Sequence, residues 1–112
     1  MSTLRNHVQL IGNAGQEPTI TTLESGKKVA RLPLATNEHY TDKDGEKQTN
    51  THWHQIVAWG KLADTMETYV FKGIRLAVVG KLTSRHYEDS NGTKHYVTEI
   101  IAKELLILDN NK

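Results

Sequence analysis

The sequence predicts one all-β domain with a single helix, folded as a small closed barrel. Segments rich in β-branched and apolar residues recur along the 112 residues, and turn signals separate them. Only the segment 61–72 places its apolar side chains at helical spacing. A chain of this length is large enough for one hydrophobic core and too short for two domains.

The predicted elements follow one another through short connections. Strands are predicted at 7–11, 19–23, 29–40, 51–59, 74–87 and 95–102, with a final apolar stretch at 105–108. In the helix, Leu62 and Met66 share one face, and Gly73 provides a C-cap. Asn91-Gly92 predicts a tight hairpin turn. We count the segments before the helix as three strand regions and the segments after it as one hairpin. This order predicts a five-stranded Greek-key barrel of the OB-fold type, with the helix between the third and fourth strands.

Composition and charge exclude several classes of protein. The chain has no cysteine, which rules out a disulfide framework and a thiolate metal site. Its 14 Lys and Arg against 13 Asp and Glu give a net charge of only +1, too little for a histone-like wrapping protein. Any binding of nucleic acid therefore needs positive charge concentrated on one surface. With no secretory leader and no apolar run near the ~18 residues that span a bilayer, we expect a soluble cytoplasmic protein.

Four aromatic residues stand in polar or basic settings, although Phe, Trp and Tyr make up only 6% of the chain. They are Tyr40, Trp53, Trp59 and Tyr87. A small protein normally buries its few large rings, because each removes much apolar area from water. Exposed rings beside cations such as Arg85 instead suit the stacking of unpaired bases along a phosphate backbone. The alternatives are that each tryptophan lies inside the barrel, or that each tyrosine ring lies over its own sheet.

The alternation of side chains across a strand predicts which residues share a face. Trp53 and Trp59 share one face of their strand, and His54 falls on the other. Arg85 and Tyr87 likewise share a face of the strand that follows the helix. Two separate strands are therefore each predicted to present an aromatic face with polar or cationic neighbours.

The chain resembles the bacterial single-stranded DNA-binding protein family. The resemblance rests on segments in family order and at family spacing, from about residue 4 to residue 108: VQLIGN at 8–13, LATNE at 34–38, THWH at 51–54, GKLA at 60–63, KG at 72–73, GKL at 80–82, RHY at 85–87 and TEI at 98–100. No single segment is decisive. Together, and in this order, they are highly specific.

The resemblance implies an OB-fold domain over 1–108 with a short C-terminal end at 109–112. It also implies a homotetramer that wraps single-stranded DNA at the nucleoid and protects it in replication, recombination and repair, with little dependence on sequence. Carried over by position, the base-stacking rings are Tyr40, Trp53, Trp59 and Tyr87. The cations that match DNA contacts are Lys43, Lys61, Lys72 and Arg85. His54 matches a family histidine at subunit contacts.

The chain departs from the family pattern at several positions. His7 stands where the family commonly has Lys, and Gln55 stands where Arg is common. Tyr40 and Tyr87 stand where Trp is frequent, so we expect stacking to persist there over a smaller ring. Fewer cations predict a shallower salt dependence, because each neutralised phosphate contributes ~0.7 to the log–log slope.

The end of the sequence is a further departure from the family pattern. Family members commonly continue into a flexible linker and an acidic, hydrophobic tip, whereas this sequence ends at Lys112. We therefore expect either a naturally short form that lacks the acidic tail, or a longer protein from which the tail has been removed. Recruitment of replication and repair proteins through such a tip is not predicted from this sequence.

Other functions can be weighed against the binding of single strands. His52 and His54 share a strand face, but two ligands without a nearby carboxylate or cysteine do not make a zinc site. Asp42, Asp44 and Glu46 resemble part of a calcium loop, yet its closing acidic ligand is missing, so a solvated hairpin tip is expected. No phosphate loop or nucleophile motif occurs, so neither a cofactor nor catalysis is expected. A dimeric interaction module of the primosome type is the remaining alternative, and a native mass of two chains instead of four would favour it.

Overall fold

The computed structural model describes residues 3–108, in which six strands form one sheet that closes into a barrel with a single α-helix. A short 3₁₀ helix, Thr3–Asn6, precedes β1 (Val8–Ala14), β2 (Thr19–Thr22), β3 (Lys28–Thr41) and β4 (Lys47–Trp59). The helix α1 (Lys61–Tyr69) follows, and β5 (Arg75–Glu88) and β6 (Lys94–Ile107) complete the fold. The strand order is β1-β5-β6-β4-β3-β2, with β4 and β6 parallel and the other pairs antiparallel. A second pairing, of β1 with β3, closes five of the strands into a barrel, as predicted, and β2 extends the sheet beyond β3.

The all-β class with one helix agrees with the prediction, but the position predicted for the helix is wrong. The helix follows the fourth strand of the chain and does not lie between the third and fourth. The four strand segments predicted before the helix are counted as three strand regions, whereas the structure has four separate strands there, with residues 15–18 between β1 and β2. Pro18 has no N–H to continue a ladder. Since β2 pairs with β3 whereas β1 pairs chiefly with β5, the two segments belong to different parts of the sheet.

The core lies inside the barrel and is built from alternate residues of its strands. The largest fully buried side chains are those of Leu32, Leu34, Ile56, Met66, Leu76, Val70 and Val78. Of these, Met66 belongs to α1, which packs against β3, β4 and β6. No helix in the described part of the chain is long and apolar enough to cross a membrane.

Two long hairpins, β3–β4 and β5–β6, extend from the barrel, and an aspartate closes the turn of each. The carboxylates of Asp42 and Asp89 accept hydrogen bonds from backbone N–H groups two and four residues later, at 2.9 or 3.0 Å. The hydrogen bond from the backbone of Glu46 is the main cause that lowers the pKa of Asp42. The side chain of His95 is the main cause that lowers the pKa of Asp89. Both carboxylates are therefore ionised acceptors that fix the hairpin turns at neutral pH.

The pairing of β5 with β6 contains a bulge, and the extra residue lies on β6. Val79 pairs with Glu104 and Gly80 with Ala102, so Lys103 is skipped. Side chains consequently keep alternating along β5 across this point. A Cβ at Gly80 would overlap the backbone carbonyl of β6, so only glycine fits there.

Candidate functional site

The side of the sheet that faces away from the core, which we call the outer face, carries both tryptophans. On β4, Ile56 points into the core, whereas Trp53 and Trp59 lie on the outer face with 61% and 41% of their area exposed. Trp53 pairs with Ala35 of β3, and Trp59 pairs with Val29 of the same strand. This register keeps both tryptophans on one face of β4, as the sequence predicts. Neither indole is part of the barrel interior.

Two arginines on the outer face meet at one buried carboxylate. Arg31 pairs with Val57 of β4, and Val57 lies on the same face of β4 as the two tryptophans. The guanidinium group of Arg31 is therefore on the outer face. Glu99 of β6 accepts a hydrogen bond from Nη1 of Arg31 at 2.9 Å. Nε and Nη2 of Arg85 each lie 3.4 Å from the same carboxylate group. The predicted cation Arg85 is thus joined on this face by Arg31.

The indole of Trp53 lies against the backbone of Gly15, in the connection between β1 and β2. A Cβ at Gly15 would lie 2.5 Å from Cζ3 and 2.9 Å from Cη2 of the ring. The N–H of Gly15 donates to the Pro33 carbonyl at 2.8 Å, which fixes this backbone. The ring therefore rests on the glycine and leaves most of its remaining surface to solvent.

Cations lie near the C-terminal end of β4 and beside its middle. Lys61 is the first residue of α1, two positions after Trp59. The Nζ of Lys27 lies 6.0 Å from the centre of the Trp59 ring. Lys72 precedes Gly73, which donates its N–H at 2.8 Å to the carbonyl of Ala14, and Ala14 pairs with Leu34 opposite the middle of β4. The exposed Lys27 is therefore close to Trp59, and Lys72 lies in the loop that is hydrogen-bonded to Ala14, next to the glycine on which Trp53 rests.

Tyr40 lies on the opposite side of the β3–β4 hairpin from Trp53. It pairs with Gln48, and the even-numbered residues of this hairpin share the side of His54. Its ring is 47% exposed, and Lys43 is exposed in the turn beyond it. The structure therefore does not bring Tyr40 onto the outer face, and a ligand can contact both Tyr40 and Trp53 only by bending around the hairpin.

Tyr87 lies near the end of the β5–β6 hairpin, on the same side of β5 as Arg85. Its ring stacks on that of His95, with ring centres 5.1 Å apart and planes inclined by 21°. It remains 48% exposed. The ring thus covers its cross-strand neighbour and still presents a large surface to solvent.

His54 lies on the side of β4 opposite Trp53, as the alternation of side chains predicts. It is half-buried, and its Nε2 lies 3.0 Å from the hydroxyl oxygen of Thr36. Burial lowers the pKa of His54, and the charge of His52 lowers it further. His52 in turn lies 3.4 Å from a carboxylate oxygen of Glu38. The ring of His54 is therefore neutral at pH 7.

We expect acidification to destabilise the fold through His54. Because its pKa in the folded chain lies below the ordinary value of 6.5, the unfolded chain takes up this proton first as the pH falls. The stability that neutral His54 contributes is fully present above pH 6.5, and it is lost as the pH falls through the lower pKa of the folded chain. Between about pH 7.5 and about pH 5, the melting temperature of the wild type should fall further than that of His54→Gln. Parallel pH profiles for the two proteins would contradict this assignment.

The described residues 3–108 contain no group of three or more His, Asp or Glu side chains placed to share a metal ion. In the acidic hairpin tip, the carboxylate of Asp42 is occupied by backbone N–H groups of its own turn. It also accepts from the side-chain amide of Gln48 at 3.1 Å. The carboxylate of Asp42 therefore serves the turn.

Four residues of the site are not predicted from the sequence: Gly15, Lys27, Arg31 and Glu99. Arg31 could be placed on the outer face by alternation once the register of β3 against β4 is known. The contacts of Gly15 and Glu99 join segments far apart in the chain, which no local pattern reveals.

Residues 5–108 match the family model described as the single-strand binding protein family. Single-stranded DNA-binding protein 1 of Xylella fastidiosa is 41% identical over 112 residues, covering 96% of this chain and 82% of that protein. Single-stranded DNA-binding protein 1 of Chlorobaculum tepidum is 41% identical over 104 residues; the match covers 92% of this chain but only 64% of that protein. A solved structure of Plasmodium falciparum SSB in complex with ssDNA is similar with a TM-score of 0.85 and 38% identity, covering 93% of this chain and 95% of that one.

Proposed function

The chain belongs to the single-strand binding protein family, and we propose that it binds single-stranded DNA without reading its sequence and without catalysing a reaction. The observation that carries the proposal is the outer face, where two exposed indoles share one side of the sheet with two guanidinium groups. Every base has a face that stacks on an aromatic ring, and every nucleotide has a phosphate that attracts a cation. Such a surface holds single strands of any sequence.

In this proposal, bases stack on Trp53, Trp59 and Tyr87 as the DNA follows the outer face. Each such contact stabilises the complex by about 1–3 kcal/mol, as measured by truncation to alanine. Tyr40 stacks a further base where the strand bends around the β3–β4 hairpin, past Lys43 at its turn. The exposure of all four rings supports these roles.

The phosphates follow cations placed between and beside the rings. Lys61 and Lys27 bind them near Trp59, and Lys72 binds them near Trp53. Arg31 and Arg85 contact the backbone between the two hairpins. In this proposal the local positive charge of these cations attracts the DNA, although the net charge of the chain is only +1.

We further propose a homotetramer, which two features of the sheet support. Residues 8–12 of β1 pair with β5 on one side, and no strand among residues 3–108 pairs with their other edge. An open edge of this kind readily pairs with another chain. Next to it, Ile11, Ala77 and Leu106 pair side by side across β1, β5 and β6, and Ile11 and Leu106 expose 47% and 62% of their area. His54 is proposed to lie at a second contact between copies.

The proposed cellular role is the protection of single strands during replication, recombination and repair, in the cytoplasm at the nucleoid. The domain responsible is proposed to extend over 1–108, and the short end at 109–112 lies outside the described residues.

Titration with oligo-dT tests the proposal, with the intrinsic fluorescence of the two tryptophans as the readout. We expect strong quenching that saturates at a definite number of nucleotides per chain, weakens with salt, and is absent with duplex DNA. Native mass spectrometry should give four chains, and assays with nucleotides and magnesium should show no turnover. Absence of both quenching and binding would refute the function, while a mass of two chains with a tight protein partner would favour the primosome-type module.

We expect Gly15→Ala to weaken binding while the fold is preserved. The added methyl group meets the far edge of the Trp53 ring, a side chain that can rotate away, and no backbone atom lies within 3.4 Å of it. Because stacking depends on how this ring is held, the affinity for oligo-dT should fall about threefold or more. Unchanged affinity and unchanged tryptophan emission would show that Gly15 does not orient the ring.

A further inference from the structure

Glu99 is the buried charged residue of the described part of the chain. Only 8% of its area is exposed, whereas the side chains of Arg31 and Arg85 are 45% and 54% exposed. Burying a carboxylate is costly unless cations and hydrogen bonds compensate for the lost water. The two arginines supply this compensation, so the three side chains form one unit.

The unit holds together two guanidinium groups from strands that are not neighbours. In the strand order, β6 and β4 lie between β5 and β3. One carboxylate oxygen, Oε2 of Glu99, lies 2.9 Å from Nη1 of Arg31 and 3.4 Å from Nη2 of Arg85. Two cations that contact the same oxygen atom would repel each other without it. The carboxylate therefore fixes an arrangement that the two arginines do not adopt unaided.

Each guanidinium group retains donors for an anion. A guanidinium carries five N–H donors in a planar fork, and Glu99 contacts only Nη1 of Arg31 and only Nε and Nη2 of Arg85. The remaining donors belong to half-exposed side chains on the outer face. The three charges sum to +1, so a single phosphate group neutralises the cluster.

We propose that Glu99 is a positioning residue, which holds Arg31 and Arg85 together as one phosphate-binding pair on the outer face. The proposal rests on the proposed function, because it assigns a part of the same DNA path. The charge of Glu99 acts in the opposite direction, since a carboxylate repels phosphate. Removing that charge therefore strengthens binding if Glu99 is only a nearby anion, and weakens binding if Glu99 positions the arginines.

Glu99→Gln separates these two effects because it preserves the shape of the side chain. We expect about fivefold weaker binding of oligo-dT at about 0.3 M salt, where long-range charge effects are screened. Glu17→Gln removes the same charge from an exposed residue that lines a groove beside α1, and its binding should be unchanged or slightly tighter. In an Arg31→Met background, Glu99→Gln should have a much smaller effect, because the pair is already broken.

The outcomes distinguish the two proposals. If the wild type binds oligo-dT and Glu99→Gln binds it equally or more tightly, the positioning role is wrong and the proposed function stands. If the wild type does not bind, the proposed function is wrong. If Glu99→Gln does not fold, Arg31→Lys decides, because lysine keeps the charge but lacks the planar fork. About threefold weaker binding by Arg31→Lys would support the proposal, and unchanged binding would overturn it.

Discussion

Trp53→Ala is expected to weaken the binding of oligo-dT at least about tenfold while the protein remains folded. The ring is 61% exposed and lies outside the core cluster, so its removal opens no cavity inside the barrel. A stacked base is worth about 1–3 kcal/mol, and about 1.4 kcal/mol corresponds to a tenfold change in affinity. Fluorescence anisotropy of labelled oligo-dT measures the loss, because it does not depend on the deleted chromophore.

Two further variants make the result for Trp53 specific. Trp53→Phe retains an aromatic face and should lose much less affinity than Trp53→Ala. Tyr69→Ala removes a ring of similar exposure, 58%, from the surface of α1 and should leave the affinity unchanged. An unfolded Trp53→Ala protein, or a folded one with wild-type affinity, would show that the ring does not stack on bases.

Gly80→Ala is expected to lower the free energy of unfolding by about 3 kcal/mol or more. A Cβ at this position would overlap the carbonyl oxygen and carbon of Ile101, and would lie 3.1 Å from Cα of Ala102. All of these atoms belong to the backbone of β6, which cannot move without disturbing its pairing with both β5 and β4. Chemical denaturation at fixed protein concentration measures the effect.

Gly92→Ala is the matched control for Gly80→Ala. Gly92 lies in the β5–β6 turn with a φ of 80°, and nothing lies within 4 Å of an added Cβ. An alanine at this position loses stability only through the strain of the left-handed backbone conformation, about 1–2 kcal/mol. Equal losses for the two variants would mean that the close approach of β5 and β6 does not limit stability.

The sequence predicts the strands and the helix best where apolar side chains recur with a clear period. Leu62 and Met66 mark α1, and the alternation around Trp53 marks the middle of β4. Residues 47–50 have no such alternation, yet they belong to β4, because backbone hydrogen bonds to β3 hold them in the hairpin. Polar hairpin ends are therefore longer in the structure than any hydrophobic pattern indicates.

The site is predictable one strand at a time but not between strands. Alternation alone places Trp53 and Trp59 together, because both lie on one strand. The opposite placement of Tyr40 depends on the register of β3 against β4, which the geometry of the turn between them sets. The contact of Arg31 with Glu99 joins residues 68 positions apart, and only the closed sheet brings them together.

The continuity of β4 fixes the distance between the two indoles. Trp59 lies six positions after Trp53 on one strand, which corresponds to about 20 Å at about 3.3 Å per residue. Since β3 pairs along this whole length, the spacing cannot adjust to the ligand. The DNA must adapt, so adenines stacked on one another have to separate before they bind, whereas flexible thymine runs conform readily. Calorimetry should therefore give a less favourable binding enthalpy for oligo-dA than for oligo-dT, with a gap that narrows on warming as free oligo-dA unstacks.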